Sequence, residues 1–371
     1  MNDQTSAAGA APRENKMGVL PVGRLLAGMA IPMMISMLVQ ALYNVVDSVF
    51  VSRISENAFN AVGLAFPLQN LMIAVGAGTA VGINALLSRS LGEKKQDMAD
   101  RAAGTGIFLS LCSAVVFALI GIFLSRPFFM AQAKSVPEIV DMGTAYTRIC
   151  LGLSAGLFCQ FCFERLLQST GRTMLSMVTQ LIGAVINIIL DPIFIFGLSM
   201  GVRGAALATI LSQAVSAAWV LRFLTGNRSK WRLRRENLRP RASVVGPCLA
   251  LGLAPFIMQS TESLIAVCFN SSLLKYGGDI AVGCMTVLIS IMQLAMMPLQ
   301  GLTQGAQPIV SYNFGARNAQ RVRDAFKTLL TACLTYSLVL WAAVQLFPRT
   351  FVLIFNNDPQ LVAYAAHSTR E

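Results

Sequence analysis

The sequence predicts an all-α fold, a polytopic bundle of transmembrane helices, and three observations carry that reading. Of 371 residues, 55% are hydrophobic and 12% charged, with a mean hydropathy of +0.63; soluble globular chains carry about 25% charged residues. The apolar residues fall in long runs, each of at least the about 20 residues that a helix needs to cross the hydrocarbon core. The basic residues fall between those runs and concentrate on alternate sides.

Nine stretches qualify as spans: 25–52, 61–87, 104–124, 142–167, 174–199, 203–224, 245–272, 281–307 and 325–347. Each must be helical, because lipid offers the backbone no hydrogen-bond partners and only helices or closed barrels satisfy it internally. The runs are too long for barrel strands. Residues 1–24 read as a cytoplasmic tail whose first 16 residues lack the apolar core of a secretory signal, so no cleaved targeting segment is expected. Residues 225–243, TGNRSKWRLRRENLRPRAS, read as a basic cytoplasmic linker touching anionic headgroups.

Most of the 29 basic residues lie on one side if the N-terminus is inside, which predicts a multi-pass protein of the inner (plasma) membrane with a cytoplasmic N-terminus. That asymmetry also accounts for a net charge of +12 and a pI near 9.7 without any nucleic-acid partner. The eight cysteines lie mostly inside apolar stretches and read as small buried hydrophobes. Cys159 and Cys162 have CxxC spacing, but there is no second pair and the one histidine, His367, is remote, so no zinc or redox centre is expected. There is no nucleophile with a histidine partner and no phosphate-binding loop, so the chain does not read as an enzyme.

An internal repeat organises the spans. At an offset of 223 residues Pro32 maps to Pro255, Asp47 to Asn270, Gly78 and Gly82 to Gly301 and Gly305, Ser88 to Ser311, and Gly92 to Gly315. Arg126 maps to Arg349, and at an offset of 222 Pro137, Val140, Thr147 and Arg148 map to Pro359, Val362, Thr369 and Arg370. The repeat predicts a first six-helix lobe over 25–224 and a second over 244–371, related by an axis along the membrane normal. The second is expected to be incomplete, with three spans and the threshold of a tenth. Both GxxxG pairs are expected to pack helices closely.

Ionisable groups inside spans cost about 2.5–3.5 kcal/mol on insertion scales and are functional candidates for that reason. Asp47 closes a polar stripe of Ser36, Gln40, Tyr43 and Asn44 on the first span, a face expected to avoid lipid. Asp191 follows Asn187 by four residues on the fifth span and precedes Pro192, whose missing amide leaves the carbonyl of Ile188 without its helical partner. An oxygen-rich, apolar-walled place of this kind suits a proton or a small hard cation such as sodium at Asp47, Asn187 and Asp191. The two carboxylates would titrate as a coupled pair; the alternative is a purely structural, hydrogen-bonded role. Glu262 is either functional or a packing residue. Glu164 with Arg165 is either an interfacial ion pair or part of a pathway. The 18 methionines and 21 phenylalanines would give any cavity an adaptable lining for varied ligands.

Four motifs then carry a resemblance: AIPMMISMLVQALYNVVDSVFVSR with Pro32 and Asp47, the stretch around residues 78–94 with NALLSRSLGEK, NIILDPIFIFGLSMGVRGAALAT at 187–209, and QPIVSYNFGAR at 307–317. Across nearly its whole length the chain resembles the multidrug and toxic compound extrusion (MATE) antiporters. The resemblance implies two six-helix lobes around a cleft, alternating access, and export of organic cation drugs and dyes driven by inward proton or sodium flow, with no cofactor beyond the coupling ion. It places a first-lobe cation site on Asp47, Tyr146, Asn187, Asp191 and Thr209, and a second-lobe acid on Glu262. Membrane lipids are the other expected partners, and a monomer is the expected state. Two further readings stand beside it: a lipid-linked oligosaccharide flippase of the same superfamily, which would need a cationic cleft, and a truncated chain without transport activity.

Overall fold

The computed structural model describes residues 15–134, 136–225 and 240–346, with side chains for these apart from most of 263–294. The basic linker's 226–239 stretch, His367 and the repeat landmarks from Arg349 to Arg370 lie outside the described residues. Among the described residues every regular element is helical: α1 Lys16–Val19, α2 Val22–Ser52, α3 Glu56–Gly92, α4 Gln96–Phe123, α5 Ser125–Gln132, α6 Pro137–Gly152, α7 Ala155–Ser169, α8 Thr173–Pro192, α9 Val202–Thr225, α10 Ala242–Gly315 and α11 Ala319–Leu346. Seven helices among them are long and apolar enough to cross a membrane, and α6 with α7 forms an eighth, bent by 43°. The protein is a multi-pass membrane protein.

The predicted spans map onto these helices in order, with four differences, the last being that α10 covers two of them. The span expected over 142–167 is broken, because α6 stops at Gly152 and α7 restarts at Ala155, with the buried Ser154 hydroxyl between them. The span expected over 174–199 ends in a π-helical turn, Ile193–Gly197, directly after Pro192. There the Leu198 amide donates to the Ile193 carbonyl five residues back at 2.8 Å, the relaxed winding that a proline-interrupted ladder favours. The short α5 was not expected; its Phe129 is fully buried against Gly143 of α6.

Helix α10 covers two predicted spans and must double back. Near its start Cys248 packs its carbonyl on Gly82 of α3, while near its end Gln307 Nε2 donates to the Val81 carbonyl at 3.3 Å. A straight helix rises about 1.5 Å per residue and could not bring both ends to one place.

Glycines set how closely the helices approach. A Cβ on Gly78 would stand 2.8 Å from the Gly252 carbonyl, one on Gly301 2.6 Å from Met34, and one on Gly305 2.6 Å from Ala30. At the end of α3 the arrangement is reciprocal: Gly92 presses on the carbonyl of Tyr312, and Gly315 presses on the carbonyl of Arg89. These four residues pair at the 223-residue offset, so the crossing has a local twofold character. The short α1 is tied to the same end, where Asn313 Nδ2 donates to the Met17 carbonyl at 3.0 Å and Arg321 Nη2 to the Leu20 carbonyl at 2.7 Å. A buried cluster of Met17, Leu25, Met29, Ala306, Ile309 and Tyr312 fills the joint.

Replacing Gly92 or Gly315 by leucine should lower stability by about 1–3 kcal/mol, the usual cost of overpacking. Gly63→Leu should change little, since a Cβ there meets nothing within 4 Å. Thermal midpoints of the purified variants check this; equal losses at all three positions would contradict the crossing.

Candidate functional site

The sequence places Asp191 one residue before a proline, and the fold uses the resulting break to close a hairpin. After the π-helical turn the chain enters α9 so tightly that a Cβ on Gly204 would lie 2.7 Å from the backbone of Phe194. Further along, a Cβ on Gly183 of α8 would lie 2.6 Å from Ser216 Oγ of α9, and that hydroxyl donates to the Thr179 carbonyl at 3.3 Å. Helices α8 and α9 are thereby held in contact, with Thr209 opposite Asn187.

Asn187 and Asp191 are buried, with relative exposures of 1% and 0%, and Tyr146 with 3%. Asn187 Nδ2 lies 3.4 Å from Asp191 Oδ1 and 3.4 Å from Thr209 Oγ1, which itself donates to the Ala205 carbonyl at 3.1 Å. Across from them α2 brings Asp47, half-buried, within electrostatic range of Asp191, Tyr43, Tyr146 and Cys150. Asp47, Tyr146, Asn187, Asp191 and Thr209 therefore gather in one place from α2, α6, α8 and α9. Three buried oxygens of this group, Asp47 Oδ1, Asn187 Oδ1 and Asp191 Oδ2, accept no hydrogen bond from the described residues. An ionised carboxylate oxygen and an amide oxygen can only accept, and buried acceptors without donors among the described residues favour a positive charge nearby.

Helical geometry sorts the polar stripe on α2. Ser36, Gln40, Tyr43 and Asp47 fall within a narrow arc at about 100° per residue, whereas Asn44 lies well round from their centre. Asn44 is accordingly exposed, while Ser36 is buried and Gln40 and Tyr43 are half-buried. Asn44 thus departs from the expected face. Gln40 and Tyr43 line a cavity of about 70 Å³ together with Asn187, Gln160, Gln180 and Gln213.

Glu164 and Arg165 do not form the ion pair that was one expectation for them. Among the described residues the salt bridges within 4 Å are Arg89–Glu93, Lys95–Glu93 and Arg101–Asp97. Neighbours in sequence point about 100° apart on a helix, so they turn to different partners. Glu164 is 4% exposed and accepts from Gln160 Nε2 and Gln180 Nε2, both at 2.9 Å. Arg165 donates to Gln168 Oε1 at 2.8 Å, and Gln168 donates to Ser176 Oγ at 3.0 Å. Since Gln160 and Gln180 also line the cavity beside Asn187, Glu164 connects to the main site through two amides. Glu262 is exposed on α10 and does not join the Asp47 group.

Sequence reasoning missed Gln69, which donates to the Tyr146 hydroxyl at 3.0 Å, and Cys150, which hydrogen-bonds the same tyrosine. It also passed over Gln160, Gln180 and Gln213. A search for amides inside apolar runs would have found the glutamines, whereas a search for ionisable groups could not.

Comparison with known proteins identifies the family and the fold. The MatE family profile matches residues 32–193 and 255–370. The multidrug export protein MepA of Staphylococcus haemolyticus (strain JCSC1435) is 25% identical over 337 residues, covering 91% of this chain and 74% of that protein. A MOP superfamily transporter from Pyrococcus furiosus, described as having a binding pocket of reversed polarity, superposes with a TM-score of 0.89 at 25% identity, over 97% of this chain and 80% of that one. An outward-facing conformation of a multidrug resistance MATE family transporter gives a TM-score of 0.87 at 25% identity, over the same 97% and 80%. With a family profile spanning most of its length and solved transporters sharing its helices, the chain belongs to the MATE family of membrane transporters.

Proposed function

We propose that the chain is a secondary active multidrug efflux antiporter that exports organic cations in exchange for protons or sodium ions. The observation that carries this reading is the set of three unpaired acceptor oxygens on Asp47, Asn187 and Asp191, buried within one bundle of apolar helices. A proton or a sodium ion taken up there neutralises carboxylates whose charge the surroundings oppose. With sodium, Thr209 Oγ1 and Asn187 Oδ1 would complete an oxygen shell, as a hard cation requires. Release of that cation would restore the charge and shift the preferred conformation, which is the coupling an antiporter needs.

Alternating access follows from the domain arrangement we infer: a lobe over 25–224 and a second from 244 onward, joined by the basic linker over 225–243. The tight contacts between them sit where α2 begins and α3 ends, at Ala30, Met34, Gly78, Gly82 and Gly92. The positive-inside pattern would make this the cytoplasmic side, and contacts there support a state in which the two lobes meet at the inner end. MepA is a multidrug export protein by name, which supports drug-like substrates here. The acidic rather than basic character of the buried site favours organic cations over a pyrophosphate-bearing lipid. Glu164, hydrogen-bonded by Gln160 and Gln180, would pass protons between the cavity and the inner side.

Ethidium efflux from energised cells tests the reading. Asp47→Asn and Asp191→Asn should each reduce export at least about tenfold, because a neutral amide cannot alternate between binding and releasing a cation. Normal export by both variants would remove the site from the mechanism. An inward gradient of the coupling ion, imposed on vesicles as protons or as sodium, should accelerate export, and Glu164→Gln should slow a proton-driven cycle without abolishing it. Export indifferent to both gradients would exclude antiport.

A further inference from the structure

The end of the molecule where α3 and α10 cross carries a second feature that cation export does not use. A cleft of about 920 Å³ opens between the α3–α4 turn and the α10–α11 turn. Its walls carry Arg89, Lys94 and Lys95 from the first turn and Arg317 and Arg323 from the second, with Glu93 as the one acid among the lining residues. Glu93 is already engaged: Arg89 Nε lies 2.9 Å and Lys95 Nζ 2.8 Å from its carboxylate oxygens. Those hydrogen bonds, from Lys95 first and Arg89 second, hold its carboxyl below the usual range. It therefore stays ionised and spends its charge on those two bases. Lys94, Arg317 and Arg323 make no salt bridge among the described residues. Two turns rich in positive charge thus face one another across the glycine crossing, with too little negative charge between them.

The backbone adds an independent observation. Lys94 has a φ of 58° and Arg317 a φ of 55°, and these two residues correspond at the 223-residue offset. Glycine or asparagine occupies the left-handed region at lower cost, whereas a long side chain there is strained by about 1–2 kcal/mol. Both halves place a base at the same strained position, and both bases line the cleft. Beside them Phe314 is 61% exposed, with the Arg89 guanidinium 5.5 Å from its ring centroid. An exposed aromatic next to unpaired bases, at the ends of membrane-spanning helices, matches the depth at which phospholipid headgroups lie.

We propose that this cleft binds the phosphate headgroup of an anionic phospholipid, which bridges Lys94 and Arg317 and holds the two turns together. The bound phosphate supplies the negative charge that the walls lack, while the glycerol and upper acyl region lie against Phe314. The site is separate from the Asp47 group and does not depend on what the protein exports.

The test uses the full chain in nanodiscs of phosphatidylcholine with or without phosphatidylglycerol, read by thermal midpoint and by retained lipid in native mass spectrometry. The parent protein should gain several degrees with phosphatidylglycerol. The double variant Lys94→Asn with Arg317→Asn should lose that gain and retain about tenfold less phosphatidylglycerol, as expected for two bases removed from a lipid surface. Because asparagine tolerates the left-handed backbone, this variant should match or exceed the parent in phosphatidylcholine alone, which separates lost binding from lost folding. Arg126→Gln, outside the cleft, should keep the parent's response. The proposal is overturned if the parent shows no phosphatidylglycerol effect, if the double variant keeps it, or if millimolar inorganic phosphate in phosphatidylcholine reproduces it in full.

Discussion

A carboxylate placed among apolar helices has to be compensated, and most of the first half of this protein is arranged around that requirement. Asp191 is fully buried, and its Oδ2 atom has no donor among the described residues. Asn187 offers it one amide, shared between Asp191 and Thr209. Glu164, by contrast, accepts hydrogen bonds from two side-chain amides, those of Gln160 and Gln180. The contrast between these two buried acids, in one bundle, is the reason for proposing that a cation completes the Asp47–Asp191 group.

The elements around the pair can be understood as means of holding it. Pro192 ends α8, the π-helical turn redirects the chain, and Gly204 and Gly183 allow α9 to lie close enough for Thr209 to reach Asn187. On the other side Gln69 fixes the Tyr146 hydroxyl, which keeps an aromatic wall beside Asp47. The glycine crossing between α3 and α10 lies at one end of α3, the helix that also carries Gln69. In the proposed cycle, this continuity would supply a route between the Asp47 group and the glycine crossing, through helices rather than loops.

Much of this was legible in the sequence, for identifiable reasons. Hydrophobic length and backbone satisfaction fixed the helices, and the cost of charge in lipid singled out Asp47 and Asp191, because both effects are large and act residue by residue. Pro192 marked the break in α8, although not its π-helical form. What remained hidden depended on how helices meet. The fold-back of α10 shows only in where Cys248 and Gln307 land on α3. The break between Gly152 and Ala155 carries no proline, and Asn44 leaves the polar face through helical phase that a list of polar residues does not convey. Glu164 and Arg165 read as a pair because they are adjacent in sequence, yet on a helix adjacency separates side chains.

The central claim is that Asp47 and Asp191 share a cation that an exported substrate displaces. Binding of tetraphenylphosphonium to the purified protein in weakly buffered detergent solution, followed with a pH indicator and a sodium electrode, tests it most directly. The account predicts release of about one proton or sodium ion per substrate bound, with the release lost in Asp47→Asn, because linkage makes displacement reciprocal. Saturable substrate binding with neither proton nor sodium release would contradict it.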